Sequence, residues 1–133
     1  MTKRTVVLVV EDEIPVQTTL CATLTLVGFN ALRADSVDAA LRTLGTEHVD
    51  AVILDVRLPD PKGLQRTGLT LLAFLRATPD YARTPVLIFT GVPLSAEEET
   101  LARKHEAEVF YKPLAYSTLI DSLSRLLVHP PAA

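Results

Sequence analysis

The stretch VILDVRLPDPKGLQRTGLTLL, residues 52–72, begins as a run of β-branched and aliphatic side chains and stops on a carboxylate, Asp55. It then passes through a loop holding two prolines, Pro59 and Pro61, and two glycines, Gly63 and Gly68, and a second apolar run resumes at Gly68 with helical spacing. An ionised carboxylate at the end of a buried strand is costly unless a partner or a reaction accounts for it. The aliphatic run shows no in–out alternation, the pattern of a strand covered on both faces.

Working outward, two more runs have the same character: VVLVV (Val6–Val10) and PVLIFT (residues 85–90). With the run at 51–56 they predict three buried strands, and weaker runs at 31–33 and EVFY (Glu108–Tyr111) add two more. Between them lie amphipathic patterns. Val16, Leu20, Leu24 and Val27 share one face of a first helix, with Pro15 in its first turn and Gly28 as its stop. Ser36 is placed to cap a second helix carrying Val37, Ala40, Leu41 and Leu44, with Gly45 as its stop. A third helix is expected over 68–77, a fourth over 95–104, and a fifth with Tyr116, Leu119, Ile120, Leu123 and Leu127 on one side. Strands alternating with helices predict an α/β fold: a doubly wound (βα)5, flavodoxin-like three-layer sandwich with parallel strand order 2-1-3-4-5. The single domain takes in residues 1–128, and HPPAA at 129–133 reads as a disordered tail.

Composition narrows the class. A chain of 133 residues with 48% apolar and 22% charged side chains suits one soluble globular domain, and a net charge of −3 gives no general reason to bind nucleic acid. One cysteine, Cys21, excludes an internal disulfide and suits a reducing compartment. The N-terminal apolar run is shorter than a signal-peptide core and ends in three acids, and no run is long enough to span a bilayer. A cytoplasmic protein is the expectation, with no membrane and no direct nucleic-acid partner.

In such a sheet ligands bind beyond the carboxyl ends of the strands. Glu11, Asp12 and Glu13 follow the first strand, Asp55 the third, Thr90 and Gly91 the fourth, and Lys112 and Pro113 the fifth. Each alone has an ordinary explanation: an acid at a helix N-terminus, a hydroxyl at a strand end, a solvated lysine. Together they suit phosphoryl chemistry. Crowded acids repel unless a hard cation with oxygen ligands, Mg²⁺ or Mn²⁺, intervenes. Asp55 is then the oxygen nucleophile, with the cation, an ammonium and a hydroxyl neutralising the transferring group.

The motifs VVLVVEDE, VILDVRLPD, LIFTG and YKPL, in this order, resemble the signature of response regulator receiver domains of two-component signalling, over nearly the whole chain. The resemblance implies Asp55 as phosphoacceptor, Glu11 and Asp12 as metal-binding acids, a metal-directed backbone carbonyl from Arg57, Thr90 as switch hydroxyl and Lys112 as the phosphoryl-contacting cation. It also implies a cis peptide before Pro113 and phosphoryl access at Gly91. Its phosphodonor is a phosphohistidine on a sensor histidine kinase or phosphotransfer protein, and its output is an unknown protein, or a second copy in a homodimer, bound through the surface of the fourth helix, fifth strand and fifth helix. Arg57 and Val92 occupy the two places that flank the hydrolytic water. Neither can orient it, since Arg has no acceptor and Val no polar atom, which implies slow self-dephosphorylation.

The sequence departs from the pattern twice. Gly63 stands where the family expects the glycine opening the third helix, yet Gly68 is the better start, so the loop is lengthened by about five residues, PKGLQ or its neighbours. The switch aromatic, three residues before the lysine, is replaced by Val109, and Tyr111 lies on the same side of the strand by period-two alternation. The chain reads as a stand-alone receiver or as a piece of a larger protein. Three alternatives remain: a receiver fold that acts by binding alone, an aspartyl-nucleophile phosphatase of the haloacid dehalogenase type, and a flavin-binding flavodoxin-like protein. The second needs an Asp where Arg57 stands; the third needs a phosphate-cradling rather than an acidic first loop.

Overall fold

The computed structural model describes residues 4–60, 63 and 67–128. The lengthened loop and the 129–133 tail fall largely or wholly outside them. Eleven elements follow in chain order: β1 (Val6–Val10), α1 (Ile14–Leu26), β2 (Asn30–Ala34), α2 (Val37–Thr46), β3 (Ala51–Leu54), α3 (Gly68–Ala77), a 3-10 turn (Pro79–Tyr81), β4 (Val86–Thr90), α4 (Ala96–Lys104), β5 (Glu108–Tyr111) and α5 (Tyr116–Val128). The strands form one parallel sheet in the order 2-1-3-4-5. That is the doubly wound arrangement expected from the alternation of strands and helices.

The absence of alternation in the three aliphatic runs has its reason in the packing. Leu8, Val10, Val52, Leu54, Val86 and Ile88 face one core with residues of α2, α3 and Ala102 of α4. Val7, Val9, Ala51, Ile53, Leu87 and Phe89 face the other with Leu20, Cys21 and Leu24 of α1 and Leu119, Ile120 and Leu123 of α5. Successive side chains point to opposite faces and both faces are covered, so every position must be apolar. Cys21 is a buried packing residue of α1.

Helix ends bear out most, but not all, of the sequence reading. Ser36 Oγ accepts from Ala39 N at 3.1 Å and caps α2. Ser95 and Glu98 form a reciprocal capping box on α4, and Thr67 with Thr70 does the same for α3. Two expectations are corrected. Gly45 does not stop α2; the helix runs through it to Thr46 and ends where Glu47 turns extended, its N–H on Thr43 O at 2.8 Å. Val27 does not line the core face of α1: the helix ends at Leu26, and Val27 is an exposed C-terminal cap ahead of Gly28, whose φ is +104°. β3 is also shorter than expected, so Asp55 and Val56 lie just past its end, although Asp55 N still bonds Val10 O at 3.0 Å. No helix among the described residues is long and apolar enough to cross a membrane.

Candidate functional site

The strand order places β1 and β3 side by side, with β4 and β5 following, so residues far apart in sequence meet at one rim. One carboxylate oxygen from each of Glu11, Asp12 and Asp55 lies within 4.8 Å of the other two. Glu11 and Asp55 are buried, 3% and 5% exposed, while Asp12 is exposed. Lys112 reaches into this group: its Nζ is 2.6 Å from Glu11 Oε1, 3.1 Å from Asp55 Oδ2 and 3.6 Å from Glu13 Oε1. The ammonium also sits 5.5 Å from the centre of the Phe89 ring, a cation–π distance.

These neighbours set the protonation states. Burial pushes the Glu11 carboxyl above its usual range, against the opposing pull of its hydrogen bonds to Lys112 and to the Glu13 N–H. Burial alone would lower the Lys112 ammonium, but its bonds to Glu11 and Asp55 outweigh that and hold it above the ordinary lysine value. The pocket thus places one ammonium among the carboxyl groups of Glu11, Glu13 and Asp55.

Asp55 is fixed on its other oxygen by the Arg57 N–H, which donates to Oδ1 at 3.0 Å. The second glycine after Asp55 has a steric role. Gly68 opens α3 so close to Asp55 that a Cβ would stand 2.2 Å from the Asp55 carbonyl oxygen and 2.6 Å from Leu54 Cδ1. Its N–H bonds Val56 O at 3.0 Å. Gly68, and not Gly63, is the helix-opening glycine, and its need to be glycine is a matter of close approach rather than of backbone angles.

At the end of β4, Thr90 is fully buried and its hydroxyl has no hydrogen-bond partner. A buried orphan hydroxyl costs about 1–3 kcal/mol, and such a group calls for a specific explanation. Gly91 next to it is exposed, and a Cβ there would meet only Lys112 Cδ, at 3.7 Å. The Lys112–Pro113 peptide is cis. Val92 is 52% exposed.

The two residues considered for the output switch separate. Val109 is half-buried, packed against the core on the α2–α3–α4 side, in register with Ile88. Tyr111 is in register with Thr90 and partly exposed; its hydroxyl makes only long contacts, 3.5 Å from Leu94 N and 3.4 Å from Glu99 Oε1.

Sequence reasoning passed over two residues. Gln17, buried on α1, donates its Nε2–H to Glu11 O at 2.9 Å and to Ala34 O at 3.3 Å, and so fixes the backbone of the acid loop. Its signal was available: position 17 falls one helical turn before Cys21 on the face that also carries Leu20 and Leu24. Glu98 on α4 takes both terminal nitrogens of Arg57. No local pattern announces that pair, which spans forty-one positions.

An open cleft of about 650 Å³ adjoins Lys112, lined by Glu13, Val16, Phe89, Gly91, Leu114 and Tyr116 among others. A larger groove, about 1090 Å³, lies at the opposite end of the strands, around Arg4, His48, Asp50 and Arg83. The smaller one is the relevant one, because it alone borders the acid pocket.

A five-stranded parallel sheet with an acid cluster, a lysine and a strand-end hydroxyl on its carboxyl rim defines a receiver-type α/β signalling domain. The model of the response regulator receiver domain family matches residues 7–124, and the chain belongs to that family. It is 37% identical over 124 residues to the phosphate regulon transcriptional regulatory protein PhoB of Escherichia coli, covering 91% of this chain and 51% of PhoB. It is 33% identical over 119 residues to the response regulator protein FleR of Pseudomonas aeruginosa, covering 90% of this chain and 24% of FleR. The chain thus spans about half or less of the length of these relatives. Among solved structures it resembles the chemotaxis protein CheY4 of Vibrio cholerae, with a TM-score of 0.80, 26% identity, and 92% and 98% of the two chains covered. It likewise resembles a signal receiver domain of an HD domain-containing protein from Pseudomonas fluorescens, with a TM-score of 0.83, 26% identity, and 96% and 97% covered.

Proposed function

We propose that this chain accepts a phosphoryl group on Asp55 from a phosphohistidine of a sensor histidine kinase or phosphotransfer protein, in the cytoplasm, and signals through the surface of α4, β5 and α5. An Asp55 oxygen bonds to phosphorus as the phosphorus–nitrogen bond of the donor breaks and its imidazole leaves. The observation that supports this most is the convergence on one rim of three carboxylates, an ammonium 3.1 Å from Asp55, and a buried hydroxyl with no partner.

Each group has a use in that reaction. Lys112 lies against Asp55 before transfer and is placed to neutralise a phosphoryl oxygen after it. Thr90 Oγ1, orphaned in the resting protein, gains an acceptor once a phosphoryl group is on the rim. Three hard carboxylate oxygens this close fit Mg²⁺, or Mn²⁺ in its place: Glu11, Asp12 and Asp55 would hold it, with the Arg57 carbonyl as a further ligand. The ion would offset the charge that builds on the transferring oxygens. The apolar cleft beside Lys112 suits entry of a donor side chain. Arg57 and Val92 leave the attacking water without an orienting partner, so the phosphorylated form is long-lived, and Arg57→Asn with Val92→Glu shortens its life.

The test is intact mass after mixing with a small-molecule phosphodonor, with and without Mg²⁺. One phosphoryl group is expected on the wild type with Mg²⁺, and none on Asp55→Asn. An adduct that survives Asp55→Asn contradicts the assignment, and no adduct under any condition favours a module that acts by binding alone.

A further inference from the structure

One residue joins the acid pocket to the first turn of α4. The Arg57 backbone N–H holds Asp55 Oδ1 at 3.0 Å, while its side chain runs the other way. Nη1 donates to Glu98 Oε2 at 2.5 Å, and Nη2 donates to Glu98 Oε1 at 2.8 Å and to Pro93 O at 3.4 Å. Glu98 is itself part of the α4 cap, its Oε1 accepting from Ser95 N at 2.8 Å. The guanidinium therefore clasps both the β4–α4 loop and the start of α4. Few other contacts hold its first turn: Leu94 is buried just ahead of it, Ala102 is the one buried residue of the helix, the Tyr111 hydroxyl approaches Glu99 only at 3.4 Å, and the Arg76 Nε bond to His105 O at 2.8 Å secures the opposite end.

We propose that Arg57 and Glu98 form an electrostatic catch that holds α4 in its resting position and opens when Asp55 gains the charge of a phosphoryl group. Glu98 is a positioning residue for Arg57, and the pair carries the signal that an aromatic at Val109 would otherwise carry. The proposal rests on the reading of Asp55 as phosphoacceptor. A phosphoryl group adds about −1.5 to −2 charges and three strong acceptor oxygens within the reach of a residue two positions away. Guanidinium groups bind phosphoryl oxygens bidentately as readily as carboxylates. The Arg57 and Glu98 side chains are 39% and 19% exposed, so their pairing is weak enough to be given up. Loss of the clasp frees Pro93 O and the α4 cap together.

The test is amide hydrogen exchange at Glu99, Thr100 and Leu101 in wild type, Arg57→Ala, Arg57→Lys and Glu98→Gln, each with and without beryllofluoride and Mg²⁺. Fluorine NMR of the same samples reports the adduct. Glu98→Gln keeps a capping-box acceptor while removing the charge. Without beryllofluoride, Arg57→Ala and Glu98→Gln should exchange about twofold to fivefold faster than wild type, the factor a partly exposed ion pair supplies, with Arg57→Lys between. Beryllofluoride should bring wild type to the variants' rate and leave Arg57→Ala and Glu98→Gln unchanged, a difference a merely structural pair would not produce. Equal resting rates in wild type and Arg57→Ala overturn the catch. So does a wild-type adduct that leaves α4 exchange unaltered, an outcome in which the phosphoacceptor reading stands. Absence of a wild-type adduct removes that reading and the coupling with it.

Discussion

The two loops that flank Asp55 are held in different ways. The β1–α1 loop is pinned from inside: Glu11 is buried, its carboxylate grips Lys112, its carbonyl takes a hydrogen bond from buried Gln17, and α1 behind it also buries Leu20, Cys21 and Leu24. The β4–α4 loop has one buried anchor, Leu94, and is otherwise held from outside, by the partly exposed Arg57 clasp and by long contacts of Tyr111, in front of a helix that buries only Ala102. Burial makes geometry expensive to change and surface pairing leaves it cheap. On the proposed function, the side that presents acids in fixed positions is the more buried one, and the side that reports phosphorylation is the more loosely fastened one.

The largest effect is expected from breaking the buried side. Lys112→Met leaves Glu11 and Asp55 without their shared cation, and removing one partner of a buried ion pair costs about 3–5 kcal/mol. Urea unfolding at neutral pH without divalent metal should show a loss of that order, together with loss of phosphorylation. A loss below about 1 kcal/mol would mean that solvent already screens the pocket.

Gly68→Ala comes next. Its Cβ would meet the Asp55 carbonyl at 2.2 Å, and backbone on both sides must shift, so a destabilisation of about 3 kcal/mol is expected. Gly91→Ala is the matched control on the loose side. There the new methyl finds ordinary contact with Lys112 Cδ at 3.7 Å, and stability should stay within about 0.5 kcal/mol of wild type. Equal effects at the two glycines would erase the contrast between the loops.

Smaller still is Tyr111→Phe, which deletes two hydroxyl contacts at 3.4 and 3.5 Å. Contacts this long are near the limit of hydrogen bonding, so thermal unfolding should register a change of about 0.5 kcal/mol or less. A larger drop would make Tyr111 a true anchor of the β4–α4 loop.

The reading of the sequence reached the fold and most of the rim because both rest on local patterns. Three unalternating aliphatic runs can be satisfied only by a sheet covered on both faces, and each charged or hydroxyl residue at their ends is visible in place. What escaped depends on partners distant in sequence. Nothing in the sequence around Glu98 marks it as a partner of Arg57, and only the fold brings the two together. Gln17 was passed over because a polar residue on a helix is ordinarily assigned to solvent, whereas here two backbone carbonyls receive it. Gly45 misled because a glycine near a helix end is usually its stop; no residue of this helix needed a left-handed backbone there, and the helix continued one residue further. Val27 continued the apolar period of α1 but lay one residue past the helix end, where the period no longer sets direction.

The smallest effect lies at the far end of α4. Burial, with Lys104 and Arg76 nearby, lowers the His105 imidazole below its ordinary value. The unfolded chain then binds the proton more readily than the folded one, so this contribution to stability is full above pH 6.5 and is lost as pH falls through the lower folded value. His105→Gln should flatten the decline in unfolding midpoint between about pH 7 and pH 5. An unchanged slope would place the acid sensitivity elsewhere.

The central claim is that Asp55 is the residue that bonds to phosphorus. An aspartyl phosphate is reduced by borohydride to homoserine, which marks the modified residue in the chain itself. After treatment with phosphodonor and Mg²⁺, reduction, and peptide sequencing by mass, the account predicts homoserine at position 55 and at no other acid. Reduction at Glu11 or Asp12, or a phosphoryl group recovered on a histidine or serine with Asp55 intact, would contradict it.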